Sequence, residues 1–140
     1  MKREAEFKVI VPKYDNEGHR IGTEVLSEIA AEMSEHFGGV TVIPTVLGCW
    51  KDEEGKLVCE ENALFISARD LDSVKDPDKI LSEDRVFMRR LAEKVGKKLG
   101  QEYVFVEEDV IQDVSFVAGM RKPSVPPALR EKDWFKKLID

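Results

Sequence analysis

Two strand-like runs lie on either side of a short charged turn, and this arrangement constrains the fold more than any other feature of the chain. Residues 40–50 (VTVIPTVLGCW) and 56–68 (KLVCEENALFISA) are rich in β-branched and apolar residues, and KDEEG joins them. Gly55, at the end of the turn, can adopt the positive φ that a short hairpin needs. We therefore predict an antiparallel hairpin. Because Pro44 cannot donate a ladder hydrogen bond, the first strand should lie at a sheet edge or carry a bulge.

Helical spacing of apolar residues marks two helices, one on each side of this hairpin in sequence. The first is predicted from Thr23, as its N-cap, to residue 37, where two glycines follow. The second is predicted from Ser82, as its N-cap, to Leu99. The polar residues 70–79 before it should form a loop.

Two further strands complete the pattern of a small mixed domain. Residues 6–12 alternate like a strand, and residues 103–106 begin another whose pattern continues to about residue 117. The order strand, helix, strand, strand, helix, strand is that of an α+β, ferredoxin-like βαββαβ domain, with both helices on one face of an antiparallel sheet. We assign residues 1–119 to this domain, and the long final pattern should contain a bend, a bulge or an additional C-terminal strand.

The C-terminal segment differs in composition from the domain. Prolines 123, 126 and 127 stiffen a linker, and residues 127–140 form a short amphipathic tail helix, so residues 120–140 are treated as a linker and tail. Acidic residues alternate with basic ones in this tail, which disfavours binding to a membrane surface. We expect the tail to pack on protein.

One face of the predicted sheet is left without a helix. Several strands carry apolar residues at both odd and even positions, and so on both faces of the sheet. Examples are Phe7 and Val9 beside Ile10, and Leu64 and Ile66 beside Phe65. An exposed apolar face of several hundred Å² is rare in a monomer, so another protein surface should cover it. The two candidates are a second copy of the chain, giving a homodimer, and the C-terminal tail.

The composition excludes several function classes. The net charge of −6 disfavours binding to a nucleic-acid backbone, and no apolar run approaches the roughly 20 residues that cross a bilayer. The charged, short apolar N-terminus lacks the pattern of a signal peptide, so we expect a soluble cytoplasmic protein. Abundant Glu and Lys, with only two Asn and two Gln, are typical of proteins from thermophiles.

The two cysteines lie at matching positions about the turn. If the turn is centred on Glu54, Trp50 pairs with Val58 and Cys49 faces Cys59, within the range of a disulfide. A cytoplasmic location instead favours two reduced thiols. The spacing does not match a zinc site, and no metal site is predicted.

Four short runs, FGGVTV, GCW, GKLVCEENALFI and GQEYVFVEE, resemble an uncharacterised family of small ferredoxin-like proteins. The resemblance covers residues 37–107, about half of the chain. It implies the fold, and no activity is attached to that family. Cys49 stands where the pattern often has a polar residue. The matching positions are Gly39, Thr41, Val42, Gly48, Trp50, Glu60 or Glu61, Gly100, Gln101 and Val104.

Candidate site residues are few, because no phosphate loop, nucleophile elbow, HExxH motif or dinucleotide fingerprint occurs and no cofactor is predicted. Trp50, Gln101 and Tyr103 are the candidate ligand-binding residues, since aromatic rings can stack on a ligand. A carboxylate cluster could bracket a cleft, and with a histidine it could supply acid/base catalysis. The candidate catalytic residues are His36, Glu60, Glu61 and Glu107.

Two functions follow from these residues. The first is a homo-oligomeric ferredoxin-like domain that binds a small molecule or a protein partner through its open sheet face. The alternative is a small enzyme with an acid/base site in a cleft at that face or at a dimer interface.

Overall fold

The computed structural model describes residues 3–101 and 104–111, which contain two helices and a four-stranded antiparallel sheet. The strand order is β2-β3-β1-β4, so β2 and β4 are the edges. Element order and pairing are those of the ferredoxin-like fold, as predicted. The additional strand, the tail helix and the 119/120 boundary lie outside the described residues. The elements are β1 Glu4–Pro12, α1 Thr23–Phe37, β2 Thr41–Lys51, β3 Leu57–Asp70, α2 Pro77–Leu99 and β4 Phe105–Ile111.

The core lies between the helices and the two central strands. Alternate residues of β1 are fully buried, and their β3 partners include Phe65 opposite Val9 and Ala63 opposite Val11. The helices contribute apolar stripes to the same layer. Buried core residues of β1 and the helices are Ala5, Phe7, Val9, Val11, Leu26, Ile29, Ala30, Met33, Phe37, Leu81, Met88, Leu91, Val95 and Leu99.

The hairpin forms in the register that the sequence predicts. Trp50 pairs with Val58, and Gly55 closes the turn with a φ of 80°. The Asp52 carboxylate accepts hydrogen bonds from two backbone N–H groups within the turn, at 3.0 and 2.9 Å. Near Pro44 the register shifts, and β2 is an edge strand. Both expectations for that proline are therefore confirmed.

The start of each helix differs from the prediction. Gly22, rather than Thr23, is the N-cap of α1, and no side chain caps that end. Asp76 caps α2 by accepting a hydrogen bond from the Lys79 N–H at 3.1 Å, and Pro77 occupies the first turn. The predicted loop is therefore confirmed over residues 71–76 and wrong at residues 77–79, which belong to α2, and the Ser82 cap is wrong. An aspartate cap followed by proline is a stronger helix start than Ser82, because proline already has helical φ and lacks only an N–H that has no partner there.

Neither helix among the described residues is long and apolar enough to cross a membrane.

Candidate functional site: a cleft on the open sheet face

The sheet face opposite the helices changes from apolar to acidic along the strands. Strand alternation places Ile10, Leu64 and Ile66 on this face, each of them half-buried. Further along, Lys8 lies within 3.8 Å of the carboxylates of Glu6, Glu107 and Asp109. We call the side of the sheet without helices the open face. Its apolar part lies toward the hairpin.

A cleft of about 520 Å³ occupies the apolar part of the open face. All four strands and Gln101, two residues after the end of α2, contribute to it. Its volume lies within the usual range for small-molecule sites. The cleft is lined by Ile10, Pro12, Val46, Leu47, Gly48, Cys49, Trp50, Glu60, Asn62, Leu64, Gln101 and Phe105.

Aliphatic side chains form the floor of this cleft and two aromatic rings flank it. Ile10 and Leu64 pair directly across the two central strands. Phe105, next to Ile10 on β4, is 56% exposed, and Trp50, near the hairpin turn on β2, is 48% exposed. Exposed ring faces beside an apolar floor can stack on a flat ligand.

Three polar side chains reach the cleft. Asn62 is only 6% exposed, and its Nδ2 donates to the backbone oxygen of Glu60 at 3.2 Å. Gly48 lies beside this amide, and a Cβ there would be 3.3 Å from Nδ2. The Gln101 amide donates to the Asn16 side-chain oxygen at 3.1 Å. The cleft thus combines two neutral amides with the carboxylate of Glu60, on its exposed rim.

The cysteines form a disulfide at the edge of the cleft. Cys49 pairs with Cys59 in the predicted register, and the two sulfurs are bonded. The structure contains the disulfide and not the two reduced thiols that a cytoplasmic location favours, and the facing positions on neighbouring strands supply the geometry for that bond. The disulfide links the residue before Trp50 to the residue before Glu60.

Two of the three candidate ligand-binding residues, Trp50 and Gln101, line the cleft together. Tyr103 lies outside the described residues. Of the catalytic candidates only Glu60 lies in this cleft. Glu107 faces Lys8 in the acidic part of the open face, and Glu61 lies opposite Leu47 on the strand pair. The carboxylates do not form one cluster.

His36 belongs to a different part of the molecule. Its Nε2 lies 2.8 Å from Oδ1 of Asp84, and its ring stacks on Phe87 at 4.0 Å between centroids. Arg69 donates to both oxygens of Asp84, at 3.0 and 2.9 Å. We call Asp84, Arg69 and His36 the buried ion network. It joins α2, β3 and α1 on the helix side of the sheet.

A second groove, of about 420 Å³, lies along α2, beside His36 of α1. Its lining includes Ser82, Glu83 and Arg90. Since Asp84 is already paired with Arg69, this arrangement suits a structural role for His36. Among residues 3–101 and 104–111, no group of three or more His, Cys, Asp or Glu side chains could hold a metal ion.

Four buried polar residues were not identified from the sequence. Asp84 is fully buried on α2, and Lys13 is buried with its ammonium on the Thr45 hydroxyl. Asn62 and Ser67 are the other two. Asp84 falls within the apolar stripe that contains Leu81, Met88 and Leu91, and this spacing is a signal that could have revealed its burial.

Comparisons with known proteins show similarity of fold alone. No protein-family model and no curated protein sequence matches the chain. A solved phage SAM lyase in complex with S-methyl-5'-thioadenosine is 15% identical with a TM-score of 0.49, over 81% of this chain and 90% of that one. The divalent ion tolerance protein CutA1 from Ehrlichia chaffeensis is 8% identical with a TM-score of 0.48, over 82% and 87%. A de novo designed protein with a ferredoxin fold is 14% identical with a TM-score of 0.30, over 91% and 100%.

Proposed function

We propose that this protein is a small-molecule-binding ferredoxin-like domain and that the open-face cleft is its ligand site. One observation carries the proposal: an apolar floor, two exposed aromatic rings and a few polar groups converge on one concave surface. Ligand sites have this composition, being mostly apolar with a small number of polar groups that fix orientation. The groove beside His36 differs, because it is lined by two charged side chains, Glu83 and Arg90, whereas the open-face cleft has one, Glu60, on its rim.

A neutral apolar dye tests this proposal. Nile red should bind the full chain saturably and become fluorescent. Leu64→Glu places a charge in the cleft floor and should abolish the signal. Val86→Glu is the matched control, because Val86 is exposed on α2, outside this cleft. Equal dye binding by both variants would contradict the site.

The apolar remainder of the open face supports self-association as a homodimer. Ile43 is exposed and Ile66 half-buried on this face, outside the cleft lining. A twofold axis near Ile43 and Ile66, rather than through the cleft, would leave the two acidic parts, around Glu6 and Asp109, at opposite ends of the dimer and the cleft uncovered. The second copy would then cover apolar surface without apposing like charges.

Light scattering after gel filtration measures this association. The wild-type chain should run at twice the 15.9 kDa chain mass. Ile66→Glu should halve the measured mass, and Val86→Glu should leave it unchanged. A wild-type chain that stays monomeric at high concentration would contradict the homodimer and would leave the cleft proposal to the dye experiment.

A catalytic use of the cleft is a second candidate, favoured by the carboxylate of Glu60 at its rim. It would act as an acid/base group on a ligand stacked against Trp50. Turnover of any ligand that binds, lost in Glu60→Gln while binding persists, would support catalysis. Binding without turnover in the wild type would leave the binding function alone.

We also propose that the protein comes from a thermophile, that it is cytoplasmic, and that it belongs to the uncharacterised family defined by the four sequence runs. Two cross-helix ion pairs, Lys94–Glu32 at 2.5 Å and Lys98–Glu28 at 2.6 Å, support the thermophilic source. The disulfide is compatible with a cytoplasmic protein of such a source, because intracellular proteins of hyperthermophiles are rich in disulfides. A melting temperature in the mesophilic range, about 45–65 °C, would contradict the thermophilic source.

A further inference from the structure

The amide of Asn62 has hydrogen-bonding capacity that the described protein does not use. An asparagine amide can donate two hydrogen bonds and accept two. The one side-chain hydrogen bond that Asn62 makes to residues 3–101 and 104–111 runs from Nδ2 to the Glu60 backbone oxygen. No fully buried side-chain polar atom in those residues lacks a partner. Because Oδ1 of Asn62 has no partner in those residues, it is not fully buried, and it is open to the cleft that Asn62 lines.

The surroundings of this amide keep it accessible. Gly48 has no side chain, and a Cβ at that position would lie 3.3 Å from Nδ2. The hydrogen bond to the backbone of β3 fixes the amide, so little conformational entropy would be lost when a ligand binds it. Asn62 is thus a fixed polar point in a cleft whose floor is apolar.

The charge of the cleft selects against anions. Glu60 lies at the exposed rim, and no Lys or Arg lines the cleft, within the described part of the chain. The second polar side chain nearby, Gln101, is also a neutral amide, held by Asn16. A carboxylate or phosphate would meet like charge with no compensating cation.

From these observations we propose that the cleft selects a flat ring bearing a neutral amide-like edge, in which a hydrogen-bond donor and an acceptor lie side by side. The ring stacks on Trp50 or Phe105 above the aliphatic floor, and its polar edge pairs with the Asn62 amide. This inference rests on the proposed function, because it specifies the ligand class of the same cleft. It goes further in excluding plain hydrocarbons and anions as preferred ligands.

Three fragments that share one ring separate the contributions: toluene, benzamide and benzoate. Each is titrated into the ¹⁵N-labelled full chain, and the Trp50 indole N–H and the Asn62 side-chain NH₂ resonances are followed. Benzamide should shift both resonances and bind at least about tenfold more tightly than toluene, which corresponds to about 1.4 kcal/mol. Benzoate should bind more weakly than benzamide.

Asn62→Leu removes the amide and keeps a side chain of similar size. In this variant benzamide affinity should fall to that of toluene, while toluene affinity stays within about twofold. The fragment ranking on the wild-type chain decides the question even if this variant does not fold. A wild-type chain that binds toluene as tightly as benzamide would overturn the inference and leave the cleft as a general apolar site. Failure of Nile red and of all three fragments to bind would overturn the proposed function as well.

Discussion

Replacing Asp84 should destabilise this protein more than replacing any exposed charge. Asp84 is fully buried, and it accepts two hydrogen bonds from Arg69 and contacts Nε2 of His36 at 2.8 Å. Asp84→Asn keeps the shape of the side chain and leaves the mostly buried guanidinium of Arg69 without its counter-ion. Breaking one side of a buried ion pair costs about 3–5 kcal/mol. Since the Arg69 side chain retains 18% exposure, we expect about 3 kcal/mol, toward the lower end of that range.

Urea unfolding measures this loss, with Glu108→Gln as the matched control. Glu108 makes a two-point ion pair with Arg85, at 2.7 and 2.9 Å, but the Arg85 side chain is 54% exposed. Removing this exposed ion pair should lower the free energy of unfolding by less than about 1 kcal/mol. A loss for Asp84→Asn no larger than that of the control would refute the argument from burial.

A double replacement separates desolvation from packing. Arg69→Met with Asp84→Leu substitutes apolar groups for both charges, and such exchanges are often neutral or stabilising. The double variant should therefore recover most of the stability that Asp84→Asn loses. A double variant less stable than the single one would show that shape, rather than charge, determines the cost.

Three further perturbations test other parts of the structure. Reducing the Cys49–Cys59 disulfide, which spans a sequence separation of 10, should lower the free energy of unfolding by about 2.5 kcal/mol, and an unchanged urea midpoint under dithiothreitol would contradict this. The backbone N–H of His19 donates to the carboxylate of Asp15 and holds the pKa of that carboxylate below its ordinary value of about 3.9. The stability that this hydrogen bond contributes is present above the ordinary pKa and is lost as the pH falls through the lower pKa of the folded state. Asp15→Asn should therefore flatten the acid unfolding curve. Gly55→Ala should cost about 1 kcal/mol in urea unfolding, because φ is 80° there, and a cost near zero would place the turn differently.

The sequence alone predicts the sheet and its hairpin because both depend on local patterns. Alternation in β1 and β3 determines which side chains face the helices, and the turn at Gly55 determines the hairpin register. Cys49 facing Cys59 follows from that register. The oxidised state of the sulfurs did not follow, since compartment and geometry favoured different states.

The start of α2 was predicted wrongly, and the pairing of Asp84 with Arg69 could not be predicted with the same rules. Polar residues before Ser82 are typical of a loop, but Asp76 and Pro77 form a cap and first turn from the same polar composition. Asp84 then lies two turns into the helix, where Arg69 from β3 supplies its counter-ion. A sequence pattern does not show that pairing, because the two residues come from different elements.

The candidate site was only partly predictable, for a related reason. Trp50 and Gln101 were identified as aromatic or amide residues near distinctive motifs, and both line the cleft. Asn62 was not identified, because its importance comes from burial and from the space that Gly48 leaves. Ile10 and Phe105 join the site through strand order β2-β3-β1-β4, which only the fold determines.

The most direct test of the central claim is chemical-shift mapping of a fragment library on the ¹⁵N-labelled full chain. Our account predicts that the perturbed resonances of the described residues cluster at the cleft, with the Trp50 indole N–H and the amides of Asn62 and Leu64 shifting most. Perturbations concentrated instead at His36 and Arg90, or scattered without a cluster, would contradict the assignment of the open-face cleft as the ligand site.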